Sequence, residues 1–307
     1  MQVPAPFVYE RASSIEHALE LLGKHGSEAR LVAGGHSLLP MMKLRFAAPT
    51  ALIDINDVDG LSDISIDSST NGGSDGDVIR IGAMVRHAQL LESAIVAEHY
   101  PMFAEAERVI ADPIVRNRGT VGGSLCQADP AEDLSAAFAA VRATVHIIGP
   151  DGARSVPVRE FHDGPYQTVV GENEMVTEVS IPVRPGGCSA YEKVERRVGD
   201  WAIAAAGVAL WLDGDTISEI GIGLTAVEAP HFVAAAAEDA ARGQVVNEAL
   251  VEHVGELAAQ ATSPNTDQRG PADYKRHLAG ELTKRAMRRA LVGAGAYDDD
   301  RADGSDS

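Results

Sequence analysis

Two pairs of adjacent glycines, Gly34-Gly35 and Gly122-Gly123, constrain the fold of this chain more than any other feature. The first pair ends a β-prone run, Leu31-Val32-Ala33, and is followed by His36, Ser37, Leu38 and Leu39. The second lies in Thr120-Val121-Gly122-Gly123-Ser124. Glycine reaches positive φ readily and has no Cβ to keep a ligand away. Successive N–H groups in such a turn converge into a nest for an anion. Two such turns, each with a Ser or Thr beside it, make a candidate cradle for a diphosphate. No G-x-G-x-x-G is present, neither pair leads into G-K-[ST], and Pro40 is expected to interrupt any helix starting after the first pair.

With 307 residues the chain has room for two domains. Its net charge of −19 argues against sequence-independent nucleic-acid binding, which needs Lys and Arg to neutralise phosphates. The two cysteines, Cys126 and Cys188, cannot form a four-thiolate zinc or iron–sulfur site. Without a leader pattern they are expected to be free thiols in a reducing compartment. No apolar run approaches the roughly 20 residues of a membrane span. The expectation is a soluble, cytoplasmic protein with no metal site of its own.

Ser13 and Glu16 form an S-x-x-E capping pattern ahead of the helical spacing Ile15, Ala18, Leu19 and Leu22, which Gly26 should end. Strands are expected at Arg30–Ala33, Ala51–Ile55, Ile64–Asp67 and Val78–Gly82, with a glycine-rich loop across Asp67–Asp77. Helices follow at His87–Ser93, Ile95–Ile110 and Pro130–Ala143, with Ile114–Gly119 read as a loop. Thr144–Ile148 is a strand closed by the hairpin turn Gly149-Pro150-Asp151-Gly152. A Pro/Gly-rich connector, Pro182–Gly187, marks a boundary. Beyond it, strands at Tyr191–Arg196, Ala204–Leu212 and Thr216–Leu224 precede helices at Phe232–Arg242, Glu248–Thr262 and Pro271–Val292. That order makes the chain α+β. The last helix carries Lys275, Arg276, Lys284, Arg285, Arg288 and Arg289 around a stripe of Leu278, Leu282, Ala286 and Ala290. Such a face is read as solvated, with docking on an acidic partner as the alternative. Tyr297–Ser307 is acidic and expected to be disordered.

Several motifs in order resemble one family. AGGHSLLPMMKLR at Ala33–Arg45, IGAMVRHAQL at Ile81–Leu90, DPIVRNRGTVGGS at Asp112–Ser124 and ADPAEDL at Ala128–Leu134 are similar to the FAD-binding subunit of the molybdenum hydroxylases. So are YEKVERRVGDWA at Tyr191–Ala202 and DQRGPADYKRHL at Asp267–Leu278. The likeness is greatest to the medium subunits of aerobic carbon monoxide dehydrogenase and of nicotine- or xanthine-type dehydrogenases.

The resemblance implies a two-lobed FAD-binding domain of the PCMH, vanillyl-alcohol-oxidase-like kind over 1–182, with lobes of about 1–56 and 57–182. A smaller α+β domain over 187–293 and a disordered tail over 294–307 would follow. Ala33, Gly34, Gly35, His36, Ser37 and Leu38 would hold the FAD diphosphate from one side, and Thr120, Val121, Gly122, Gly123 and Ser124 from the other. Backbone N–H groups and the hydroxyls of Ser37, Thr120 and Ser124 would supply the hydrogen bonds. By the same likeness Asp133 would meet the cofactor's sugar or ribityl hydroxyls, while Val176, Tyr191 and Lys193 would pass the isoalloxazine. A lysine there would stabilise negative charge on reduced flavin. His36 stands where many relatives have glutamine, Val85 replaces a common threonine, and Cys126 lies where a small residue is usual.

The implied function is electron transfer. Substrate would be oxidised at a molybdopterin centre on a large partner chain, and electrons would cross [2Fe–2S] clusters on a small one to FAD here. Two such clusters need about eight thiolates, far more than this chain has. No side chain need act as a catalytic acid or base. The resemblance also implies a dimer of heterotrimers and leaves room for peripheral membrane contact through an electron acceptor. The alternatives are a self-contained FAD oxidase or dehydrogenase and a non-catalytic flavin-binding module.

Overall fold

A computed structural model describes residues 3–68 and 76–297. Most of the glycine-rich loop expected within Asp67–Asp77, and nearly all of the acidic tail, lie outside the described residues. Three short parallel strands open the fold: β1 (Val8–Arg11), β2 (Ala29–Val32) and β3 (Ala51–Asp54), in the order β1-β3-β2. Parallel strands of one sheet cannot be joined by a tight turn. Helix α1 (Ile15–His25) connects β1 to β2 and buries Ala18, Leu21 and Leu22. The side chain of Ser14, not Ser13, caps it by accepting from the His17 N–H, and Gly26 ends it at φ 64°.

Helix α2 (Leu38–Lys43) follows the first glycine pair, which corrects the expectation that Pro40 would prevent one. Pro40 is the third residue of this helix, where the N–H has no intrahelical acceptor to lose.

The second sheet holds β4 (Ile64–Asp67), β5 (Val78–Gly82), β6 (Thr144–Gly149), β7 (Gly152–Pro157) and β10 (Met175–Pro182), with a small hairpin, β8 (His162–Gly164) and β9 (Gln167–Thr168), preceding the last of these. Its order is β4-β5-β10-β6-β7. Of these five, strand β10 comes last in the chain yet sits at the centre, with Val179 and Ile181 fully buried. Between β5 and β6 run α3 (His87–Leu91), α4 (Ala94–His99), α5 (Met102–Val109), α6 (Pro113–Arg116), α7 (Val121–Gln127) and α8 (Asp133–Ala140). The single helix expected over Ile95–Ile110 is broken at Tyr100-Pro101, because proline disfavours helical geometry in the residue before it. The expected loop Ile114–Gly119 instead begins within α6, where Asp112 accepts from the Val115 N–H.

After a short turn of helix, α9 (Val158–Phe161), and strand β10, the chain forms an antiparallel sheet of β11 (Gly187–Val194), β12 (Ala204–Asp213) and β13 (Thr216–Thr225). Helices α10 (Ala235–Ala241), α11 (Glu248–Gln260) and α12 (Ala272–Gly293) cover one face. Every residue of α8 is buried, so this helix is apolar almost all round and carries no single stripe. It packs on β13 with backbone against backbone. A Cβ at Gly221 or Gly223 would overlap the carbonyls of Ala140 or Ala136. That close seat sets where the cap of α8, Glu132, and its first residue, Asp133, come to lie.

The cations of α12 are mostly spent within the chain, which corrects the reading of a solvated basic face. Lys275 is buried and bonds the Asn265 carbonyl at 3.0 Å. Lys284 pairs with Glu252 and Glu281, Arg288 with Glu248 and Glu252, and Arg289 with Glu105 and Glu192. Arg276 and Arg285 remain exposed.

Candidate functional site

A cleft of about 790 Å³ opens between the first sheet and the second. Its size lies within the roughly 300–1,000 Å³ of small-molecule and cofactor sites. Both glycine segments line it. Ala33 to Leu38 contribute in unbroken sequence, and Thr120, Gly122, Gly123 and Ser124 join them, with Asp133, Val176 and Lys193. Val121 is fully buried beneath its neighbours, and Tyr191 stands behind the wall.

The two segments touch. A Cβ on Gly34 would overlap the Arg118 carbonyl, so only glycine permits the approach. Arg86 ties them further: its guanidinium donates to Asn56 Oδ1 at 2.6 Å and to the Arg118 carbonyl, and Asn56 Nδ2 donates to the Ala33 carbonyl at 2.9 Å. Neither Asn56 nor Arg86 was marked as a site residue from sequence. Arg86 lies inside the IGAMVRHAQL motif, a signal that could have found it.

The segments differ in what they offer. Gly35 adopts φ 75°, and the N–H groups of Gly34, Gly35, His36, Ser37 and Leu38 have no acceptor among the described residues. Ser37 makes no capping bond with its side chain. The second segment is the start of helix α7, not a positive-φ turn, and its N–H groups from Val121 to Ser124 are occupied. Those of Val121 and Gly122 donate to the carbonyls of Val85 and Ala83 at 2.9 and 2.8 Å. That of Gly123 donates to Thr120 Oγ1 at 3.1 Å, and that of Ser124 to the Thr120 carbonyl at 3.0 Å. Gly122 is needed for packing, since its Cβ would come within 2.7 Å of the Ala83 methyl. Among the described residues, the run of consecutive backbone donors without an acceptor therefore lies on the first segment. On the second, Thr120 and Ser124 offer hydroxyls.

Asp133, Tyr191 and Lys193, read separately from sequence, form one buried cluster. Tyr191 donates its phenolic O–H to Asp133 Oδ1 at 2.7 Å, and Lys193 Nζ donates to Asp133 Oδ2 at 2.9 Å. Lys193 also donates to the Val109 carbonyl at 3.0 Å and lies 3.4 Å from Glu195. The Lys193 and Asp133 side chains are only 2% and 5% exposed. Burial pushes the Asp133 carboxyl up, against the pull of Lys193 and Tyr191. Beside it Glu132 caps α8 by accepting from the Leu134 and Ser135 N–H groups, and burial lifts its carboxyl to about 7. Val176 is a nearly buried strand residue at the bulge between β10 and β6. Trp201, half exposed, lines the same cleft and was not singled out from sequence.

A glycine-walled cleft between two sheets, with backbone donors that have no acceptor among the described residues on one side and hydroxyls on the other, has the chemistry of a nucleotide-cofactor site. Residues 5–184 match the model of the FAD-binding domain in molybdopterin dehydrogenase, and residues 189–290 that of the CO dehydrogenase flavoprotein C-terminal domain. The carbon monoxide dehydrogenase medium chain of Hydrogenophaga pseudoflava is 42% identical, over 94% of this chain and 98% of that one. The glyceraldehyde dehydrogenase medium chain of Sulfolobus acidocaldarius is 35% identical, over 93% of this chain and 98% of its own. Among solved structures, carbon monoxide dehydrogenase from H. pseudoflava superposes with a TM-score of 0.88 at 43% identity, covering 94% of this chain and 99% of that one. The chain belongs to the family of FAD-binding subunits of molybdopterin-dependent dehydrogenases, which are oxidoreductases.

Proposed function

We propose that this chain is the FAD-carrying electron-transfer subunit of a heterotrimeric molybdenum hydroxylase. One observation carries the reading: the five consecutive unpaired N–H groups of Gly34 to Leu38 line a cleft that faces the hydroxyls of Thr120 and Ser124. An N–H nest opposed by neutral donors favours a diphosphate. When bound, FAD accepts electrons singly and releases them in pairs. The first glycine segment would hold the diphosphate by its backbone. Asp133 would keep Lys193 fixed in the cleft wall as a compensated ion pair, so the flavin would meet an ordered dipole in place of a mobile cation. Val176 would exclude water from the ring.

Residues 1–182, with lobes of about 1–56 and 57–182, would form the flavin unit, and 187–293 the second unit. An iron–sulfur small subunit would deliver electrons from a molybdopterin large subunit, within a dimer of heterotrimers in the cytoplasm. No helix among the described residues is long and apolar enough to cross a membrane. Peripheral contact through an electron acceptor is compatible with that. The substrate pocket belongs to another chain, and the relatives' names differ on substrate, from carbon monoxide to glyceraldehyde.

Purification of the native protein with its partners, followed by metal analysis and a visible spectrum, tests this reading. Stoichiometric iron and molybdenum beside bound FAD support it. Turnover of a small organic substrate by this chain alone, with neither metal present, would identify a self-contained oxidase instead.

A further inference from the structure

Behind Ser124 a line of three side chains runs from the cleft into the core. Ser124 Oγ lies 3.0 Å from His87 Nε2, and His87 Nδ1 lies 2.9 and 3.1 Å from the two oxygens of Glu107. Glu107 is fully buried and His87 nearly so, while both Ser124 and His87 reach the cleft wall. The electron route proposed above does not require a buried acid–imidazole pair.

The proton count of that pair dictates what Ser124 presents. With an ionised Glu107 and a neutral imidazole, Nδ1–H donates to the carboxylate and Nε2 accepts from the Ser124 O–H. The serine oxygen then turns only lone pairs toward the cleft. One further proton can rest on the imidazole or on the carboxyl. In either case Nε2 carries a hydrogen and donates it to Ser124, whose own O–H is released to donate into the cleft. Diphosphate oxygens only accept. The N–H groups of Val121 to Ser124 are already spent, so the direction of this hydroxyl matters.

We propose that His87, held by Glu107, is a positioning residue that turns the Ser124 hydroxyl from acceptor to donor, so that binding of a diphosphate-bearing cofactor takes up a proton on the Glu107–His87 pair. This rests on the reading that FAD places its diphosphate against the second glycine segment. The groups around the pair favour the added proton. Glu107 on α5, with Glu132 and Asp133 at the start of α8, raise the His87 value above 6.5 despite burial, and burial raises Glu107 as well. Arg116 opposes this at Glu107, and Lys193 offsets Asp133. Arg86 is turned away onto Asn56.

Because the proton is taken up on binding, affinity is highest below the pair's titration and falls as pH rises through it. The test uses the full chain stripped of flavin, titrated with FAD between about pH 6 and about pH 9, where the cofactor itself is expected to keep one charge state, with protons counted in weak buffer. Wild type should take up protons at the alkaline end and lose roughly tenfold to a hundredfold in affinity across the range, the worth of one hydrogen bond to a charged group. Ser124→Ala, which leaves the buried pair intact, should bind more weakly with a flat profile and no uptake, and His87→Gln should also be flat. FAD binding without proton uptake in wild type, or an undiminished pH profile in Ser124→Ala, would overturn the proposal. Failure of wild type to bind FAD at any pH would instead overturn the reading beneath it, and the proposal with it.

Discussion

Lys193→Met tests whether the ion pair in the cleft wall is as demanding as its burial implies. The substitution removes a cation that donates at 2.9 Å to Asp133 and at 3.0 Å to the Val109 carbonyl, among side chains almost without solvent. Stripping one member from a buried pair costs about 3–5 kcal/mol, because the other is left charged without compensation. Asp133 keeps the Tyr191 O–H at 2.7 Å, so the expected loss lies near the lower end.

Asp133 can escape part of this cost by taking a proton. Its folded-state value, already raised by burial, rises further once Lys193 is gone. A carboxyl titrating higher in the folded state than in the unfolded one favours folding only while protonated. The variant's deficit should therefore grow as pH rises above the ordinary aspartate range and shrink on acidification. Urea unfolding of the flavin-free chain at about pH 7 and about pH 5 measures both effects. Asp133→Asn combined with Lys193→Met removes the stranded charge and should recover most of the loss. A Lys193→Met variant within about 0.5 kcal/mol of wild type at both pH values, as for a surface change, would refute the buried pair. A double variant no more stable than the single one would refute it equally.

Other outcomes follow from the same geometry. Gly34→Ala sets a methyl against the Arg118 carbonyl and Gly35→Val forces a branched residue to positive φ, so both should abolish flavin retention, read as flavin absorbance per chain, while the sheet β11–β13 stays folded. Gly123→Val places a Cβ within 2.7 Å of Thr120 Oγ1 and should do the same by displacing the α7 cap; normal flavin content in all three variants would remove the cradle. Glu132, lifted to about 7, and His162, lowered to about 4 by burial, share the Ser135 hydroxyl and oppose each other in pH dependence. Glu132 costs stability as pH rises from 4.5 toward 7, whereas burying neutral His162 costs stability as pH falls from 6.5 toward 4. Each displacement is worth about 3 kcal/mol, so Glu132→Gln should unmask a stability that rises with pH, and a variant with no change in slope would refute the pairing. Tyr191→Phe removes one donor from Asp133 and should cost about 1.5–3 kcal/mol in the same unfolding assay.

Local rules carried the sequence reading a long way. The hairpin at Gly149–Gly152, the ending of α1 at Gly26 and the long amphipathic helices after residue 247 follow from turn chemistry and 3.6-residue spacing, forces that act within a few residues. The FAD-binding family was legible because its motifs recur in order along the chain. Where local signals misled, a longer-range contact or a fine positional detail decided. Pro40 proved harmless in the first turn of its helix, Ser14 displaced Ser13 as a cap, and the basic residues of α12 found acids from α5, β11 and α11.

The sequence alone determined which residue types were available: glycines that admit close approach, hydroxyls beside them, and a composition with too few thiols to hold the metal clusters itself. Tertiary structure decided which of these meet. It put Tyr191 and Lys193 on one strand against Asp133 on a helix, joined Ser124 to His87 and Glu107, and spent the N–H groups of Val121 to Ser124 while leaving those of Gly34 to Leu38 without an acceptor among the described residues. The physical reason is that a hydrogen bond or ion pair depends on distance and desolvation in three dimensions, and neither is written in the spacing of residues along the chain.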